Sequence, residues 1–268
     1  MTPDVVVDVG NSRIKWGWCR GGRIAEMAVL AHDDPVGWKR QLELWALSPS
    51  ARWAIAGVAP AAVRRLCDWL NSREFEPQLV TNEVFFDNDW DEGLDGPRSL
   101  GFVTRVEEPG RVGVDRLLNA LAAHGRTPER SSTVALSVGT AITLDFVEPD
   151  GTHVGGAILP GPRLMAKSLR DYTAKLPEID INPALPTTVW GGNTEDAIAL
   201  GIANAVLGVA DQMIWDWAAR CDQPPWVFAT GGDVGYFRGF VFTADVGQFV
   251  IDPHLTLDGI RLAAKTLP

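Results

Sequence analysis

Val5-Val6-Val7-Asp8-Val9-Gly10-Asn11-Ser12-Arg13-Ile14-Lys15 is the stretch that decides the fold. A β-branched run ends at a glycine, passes small polar residues, and returns to an apolar residue and a lysine. That pattern suits a β-hairpin whose tight turn presents backbone N–H groups and hydroxyls to an anion. The arrangement recurs near the middle of the chain. There Val134-Ala135-Leu136-Ser137-Val138 runs into Gly139-Thr140-Ala141, and Thr143 and Asp145 follow. Two such hairpins, one per half, predict a duplicated α/β fold that grips a polyphosphate from both sides.

Outward from the first hairpin, Val5–Val9, Arg13–Cys19 and Arg23–Leu30 read as strands, with Gly21-Gly22 as a turn. A helix over Pro35–Leu47, a strand over Trp53–Val58, a helix over Ala61–Asn71 and a strand over Gln78–Thr81 follow. Asp87–Gly110, with Asp87, Asp89, Asp91, Glu92, Asp95, Glu107 and Glu108, reads as surface loop with a short element inside it, joining the halves. A helix over Asp115–Gly125 leads into the second half. There Thr133–Ser137, Ala141–Val147 and Thr152–Ala157 repeat the three-strand opening. Helices over Leu164–Tyr172 and Asn193 to about Arg220 follow, the latter with Thr194 as N-cap. A strand over Trp226–Ala229 and a helix over Leu257–Thr266 close the chain. This order predicts two domains, 1–112 and 113–268.

The 268 residues carry a net charge of −10, which argues against nonspecific nucleic-acid binding, because a phosphate backbone needs a basic surface. The hydrophobic share of 46% is enough for a real core. Cys19, Cys67 and Cys221 form no CxxC pair, so neither zinc site nor disulfide framework is indicated, and reduced cytosolic thiols are expected. No signal peptide is read, and the apolar Ala197–Ala210 is interrupted by Asn204 and glycines, so no membrane span is expected. His32, His124, His153 and His254 have no metal-ligand or triad spacing and read as structural. The eleven tryptophans are scattered and read as packing residues.

In the first turn, Gly10 lets phosphate oxygens approach the backbone, Asn11 and Ser12 can donate, Lys15 supplies charge, and Asp8 can hold Mg²⁺ through water. An ordinary hairpin turn would use the same residues for local geometry. Gly139-Thr140 adds a hydroxyl and no charge; its recurrence in the same context favours phosphate binding. Thr230-Gly231-Gly232-Asp233 follows an apolar strand; it could admit a flat ligand, or be a strand-to-helix turn with Asp233 as N-cap. Gly113-Val114-Asp115-Arg116 stands at a helix start, where Asp115 is either a capping residue or a general base beside a carboxylate-binding guanidinium. Gly155-Gly156-Ala157-Ile158-Leu159-Pro160-Gly161 marks a place where a ligand or second chain comes close.

Taken in order, these motifs resemble the duplicated phosphotransferases of the acetate-kinase, Hsp70 and actin superfamily, and within it the type III pantothenate kinases. The resemblance rests on Asp8 to Lys15, Gly113 to Arg116, Val138 to Asp145, Gly155 to Gly161, Thr194 before Ala197-Ile198, Thr230 to Gly232, and Leu255-Thr-Leu-Asp-Gly259. It implies duplicated ribonuclease H-like (actin-like ATPase) domains, with mixed five-stranded sheets flanked by helices. It implies ATP-dependent phosphorylation of pantothenate, the first step of coenzyme A synthesis, by a cytoplasmic homodimer. ATP would lie between the halves. Asp8, Val9, Gly10, Asn11, Ser12, Arg13, Ile14 and Lys15 would hold its phosphates, with Mg²⁺ at Asp8. Gly139 and Thr140 would hold them from the other side, and Thr230, Gly231 and Gly232 would border the adenosine. Asp115 would be the base, and Gly113, Val114, Arg116 and Thr194 would bind pantothenate. A monovalent cation, K⁺ or NH₄⁺, is also implied.

Two positions depart from the family pattern. Ser137 stands where the family places an Asp that ligates the monovalent cation, and Val106 where it places a substrate-contacting Tyr. They keep two alternatives open: a non-catalytic nucleotide-binding relative acting as an accessory protein, and a kinase for another small hydroxyl compound.

Overall fold

The computed structural model describes residues 1–86 and 100–267. Much of the expected loop 87–110 therefore lies outside the described residues. Contacts divide the chain into two compact units: Met1–Arg126 with Asp150–Val154 and His254–Pro268, and Thr127–Pro149 with Gly155–Pro253.

The first unit is built on β1 (Val5–Val9), all of whose residues are buried. A strand covered on both faces reads as a continuous apolar run, and Asp8 is its one interruption. β2 (Ile14–Arg20) returns antiparallel with Val9 opposite Ile14 and Asp8 opposite Lys15. β3 (Arg23–Leu30) follows across Gly21-Gly22, while β4 (Trp53–Gly57) runs parallel to β1 and β5 (Gln78–Leu79) parallel to β4. The sheet order is β3-β2-β1-β4-β5.

α1 (Pro35–Leu44) ends before the expected Leu47. Ala46 takes a left-handed backbone (φ 49°), and Leu47 N–H donates to Leu42 O, a closure that stops a helix. α2 (Pro60–Asn71) starts one residue earlier than read, with proline in the first turn, where its missing N–H costs nothing. The core behind this sheet is tryptophan-rich: Trp16, Trp38 and Trp53 are fully buried, and Trp16 meets Trp53 edge-on at 5.0 Å.

α3 (Val114–His124) buries one whole face. It packs on α6 (Leu255–Ala263), which itself lies against β1. Residues 113–126 and 254–268 therefore group with the first unit, so the compact units do not divide at 112/113. β6 (Val103–Thr104) is a short strand inside the stretch 87–110, where a short element is expected; it pairs with Thr152 and His153, and buried His153 Nδ1 lies 2.9 Å from Thr104 Oγ1, a structural histidine as expected.

The second sheet repeats the opening with β7 (Thr133–Val138), β8 (Ala141–Val147) and β9 (Thr152–Pro160), then β10 (Trp226–Thr230) and β11 (Gln248–Ile251). The order β9-β8-β7-β10-β11 matches the first sheet strand for strand, with β6 added beyond β9. That sheet therefore has six strands rather than the five expected. α4 (Pro162–Tyr172) and α5 (Thr194–Ala218) cover it. The N-cap of α5 is Asn193, whose side chain accepts from Asp196 N–H at 2.8 Å, and Thr194 is the first helical residue instead of the cap.

α5 is the one helix among the described residues long and apolar enough to cross a membrane, with mean hydropathy 1.6. Its Ile198, Ile202, Val206, Ala210 and Ile214 recur at helical spacing and pack into the core of this unit beside Val134, Leu136 and Val227. One face of α5 thus packs into the core of the unit, while 39% of its most apolar stretch is buried.

Candidate active site

In the first unit, the turn between Val9 and Ile14 spans four residues and is closed by Gly10 N–H donating to Arg13 O at 3.1 Å. Asn11, Ser12 and Arg13 are exposed. Val9 and Ile14 are fully buried in the core, so they offer a ligand only backbone. Asp8 is 8% exposed. Burial pushes its carboxyl up to about 6; the Lys15 ammonium opposite opposes this, and Asp115 adds to it. Asp8, Lys15 and Asp115 thus lie within electrostatic reach of one another, although Asp115 is far away in sequence.

Asp115 sits in the first turn of α3 and is half-buried; its Oδ1 accepts from Arg116 N–H at 3.0 Å. Arg116 N–H also donates to Gly113 O. The α3 N-cap is Gly113, so Asp115 is not the capping residue that its position also allowed. Beside this helix start lies a cavity of about 390 Å³, lined among others by Val58, Val63, Asn82, Val112, Gly113 and Val114. Asn82, unmarked by any motif, donates to Pro109 O and Val112 O and so holds the loop that delivers Gly113 to Arg116.

In the second unit, the equivalent turn is one residue shorter: Val138 pairs with Ile142, and Gly139 N–H donates to Ala141 O at 3.0 Å. Thr140 is exposed, and nothing lies within 4 Å of where a Cβ on Gly139 would stand, so this turn is open to a ligand. Ser137 lies opposite Thr143 on one side and Thr230 on the other, a row of hydroxyls across β8, β7 and β10. Thr230 is buried and its Oγ1 has no partner. Gly231 takes φ +106°, and a Cβ there would collide with Val138 O. Gly232 faces open space.

What approaches the Gly155 to Gly161 segment closely is the chain itself. A Cβ on Gly156 would collide with Leu144 O, and one on Gly161 with Gly139 O. Asp233 caps no helix through its side chain; its Oδ1 accepts from Arg163 Nη2 at 3.0 Å. Thr194 is exposed on a largely apolar groove of about 620 Å³ between α4 and α5, with Met165, Leu169 and Ile198.

The donor set fits Mg²⁺. Among the described residues no cluster of three or more His, Cys, Asp or Glu forms a metal cage. Mg²⁺ uses one or two carboxylates plus substrate phosphates and water, and the buried Asp8 at the base of the glycine turn would supply one such carboxylate. The monovalent cation fits less well, because Ser137 offers a neutral hydroxyl where a hard cation prefers a carboxylate.

The family profile described as type III pantothenate kinase matches residues 5–216. A type III pantothenate kinase from Sphingopyxis alaskensis is 31% identical over 96% of this chain and 95% of its own length. One from Acidiphilium cryptum is 32% identical over 98% and 95%. Among solved structures, a protein from Campylobacter jejuni described as a Baf family transcriptional activator superposes with TM-score 0.56 at 18% identity, over 97% of both chains. Component A of the Acidaminococcus fermentans (R)-2-hydroxyglutaryl-CoA dehydratase superposes with TM-score 0.51 at 14% identity, over 97% of this chain and 95% of that one. At such identity these structures support the fold alone. With the duplicated actin-like fold, the charged turn at Asp8 to Lys15 and the Gly113 to Arg116 helix start in place, the chain belongs to the type III pantothenate kinase family.

Proposed function

We propose that this pantothenate kinase works with Asp115 as the base for the primary hydroxyl of pantothenate and with the Asp8 to Lys15 turn holding the ATP phosphates. The observation that carries this reading is that buried Asp8 stands opposite Lys15 at the base of the turn and is within electrostatic reach of Asp115. Gly10 lets the phosphates come close, Asn11 and Ser12 offer them backbone and side-chain donors, Arg13 adds an exposed charge, and Val9 and Ile14 contribute backbone only. Lys15 neutralises charge on the transferring phosphoryl group, and Asp8 would hold Mg²⁺, which supplies further neutralisation when bound. Asp115 takes the hydroxyl proton, and Arg116 binds the pantothenate carboxylate bidentately. Gly113 and Val114 border the cavity that takes the acceptor. This is phosphoryl transfer by positioning and electrostatics, with little covalent work for the protein.

On the second unit, Gly139 and Thr140 contact phosphate, and Thr230, Gly231 and Gly232 border the adenosine. The partnerless Thr230 hydroxyl and the open Gly139 and Gly232 support this. Thr194 contacts pantothenate. The chain works as a homodimer in the cytoplasm, without nucleic acid or membrane. Only 39% of the most apolar stretch of α5 is buried, which leaves apolar surface beside the α4/α5 groove for a second copy. K⁺ or NH₄⁺ has a weakened site at Ser137, and we assign it no step.

The test is coupled ADP release from ATP and Mg²⁺, with and without pantothenate, in K⁺ and in Na⁺. Pantothenate-dependent release in both salts is expected. Release that ignores pantothenate, or none while ATP still binds, would contradict the assignment.

A further inference from the structure

In the second unit the two glycine turns are tied together by a closed ring of contacts. β7 ends at Val138, whose carbonyl accepts Asp233 N–H at 2.9 Å, and Gly231 lies so close to the same carbonyl that no side chain fits. The next turn, Gly139-Thr140, is held from its other side by Gly161, whose N–H donates to Thr140 O at 3.0 Å. Gly161 leads directly into α4, and Arg163 in its first turn reaches Asp233 Oδ1 at 3.0 Å. The path from Val138 through Thr140, Gly161 and Arg163 to Asp233 thus returns to Val138. Asp233 is buried at 4% exposure, while the Arg163 side chain is 61% exposed.

We infer that the Arg163–Asp233 pair is a positioning device for the nucleotide: it fixes the Gly139-Thr140 turn relative to the Thr230-Gly231-Gly232 turn, and so sets ATP affinity without touching ATP. The inference rests on the assignment of both turns to ATP made above. The arginine end of the pair is largely in water, which screens its charge, while the Asp233 carboxylate is buried. Its effect is geometric. One partner is held by the buried backbone of the turn, the other by the helix that pins the opposite turn, and a charge-assisted bond between them fixes their spacing. Small misplacements of a binding group cost disproportionately.

The experiment measures ATP binding calorimetrically, without pantothenate, for the wild type, Arg163→Met and Arg163→Lys, followed by steady-state kinetics and melting temperature. Arg163→Met keeps the aliphatic stem and loses the charge. Its ATP dissociation constant and KM for ATP are expected to rise roughly 10-fold. Its KM for pantothenate and its kcat should stay near wild type, and Arg163→Lys should recover part of the affinity. Asp233→Asn should weaken ATP binding as well, and the double variant Arg163→Met/Asp233→Asn should bind no worse than Arg163→Met alone. Wild-type ATP affinity in Arg163→Met overturns the pair's role while leaving the kinase reading intact. Equal rises in both KM values with a lowered melting temperature also overturn it, because they mark general loosening. A wild-type chain that binds no ATP overturns both readings.

Discussion

The two glycine turns occupy equivalent places in two sheets of the same strand order, yet they carry different chemistry. Asp8 and Lys15 face each other at the base of the first turn; at the equivalent base of the second, Ser137 faces Thr143. The first turn is four residues long and flanked by charge, the second three residues long and flanked by hydroxyls. Duplication supplies two hairpins of the same kind, and under the proposed function divergence gives charge neutralisation to one and neutral hydrogen bonding to the other. The burial of Asp8 costs stability, as charged groups held for function commonly do.

The largest effect should come from outside both turns. Asp115→Asn is expected to lower turnover by roughly 10²–10⁴-fold while ATP still binds, because a general base is lost and the phosphate sites remain. Turnover close to wild type would remove Asp115 from its role.

Asp8→Asn sharpens the comparison by separating activity from stability. Its carboxyl is raised from 3.8 to about 6 by burial, so the folded chain binds the extra proton in that window. Stability is therefore lost as pH rises from about 4 to 6 and stays reduced above it, a cost on the order of 3 kcal/mol. Asp8→Asn should lose most turnover and yet melt a few degrees higher than wild type near neutral pH, with the advantage shrinking toward pH 4. Thermal melts across that range check it; a variant that melts lower at neutral pH would contradict the account.

The turns themselves can be compared directly. Lys15→Met should raise KM for ATP about 10-fold or more, and Thr140→Ala only a few-fold, since a charge-assisted phosphate contact is roughly twice as strong as a neutral one. Equal effects would break the division of labour. The smallest expected effect is on salt preference: Ser137→Asp should make turnover more sensitive to exchanging K⁺ for Na⁺, measured as a ratio of rates.

Both hairpins were legible in the sequence because an apolar strand that ends in glycine and small polar residues has few other solutions. The repeat of the three-strand opening in both halves follows from the same pattern, whereas the register and the sheet order came from the structure. A short element between 87 and 110 was legible, but not its position or its pairing as β6, because two residues, Val103 and Thr104, carry no periodicity. The end of α1 was missed because nothing in Ala46 signals a left-handed backbone. Asn193 rather than Thr194 caps α5, since either residue type can cap and only the side-chain bond decides. At the site, the helix start with Asp115 was visible, but its electrostatic proximity to Asp8 was not. The Arg163–Asp233 pair joins residues 70 positions apart, and the loop grip of Asn82 on Pro109 and Val112 is equally nonlocal. No local pattern encodes either.

The most direct measurement is detection of phosphorylated pantothenate by mass spectrometry from wild type and Asp115→Asn side by side, with ATP binding measured on both. The account predicts product from the wild type, almost none from the variant, and equal ATP affinity. Product from neither chain while both bind ATP, or equal product from both, would contradict it.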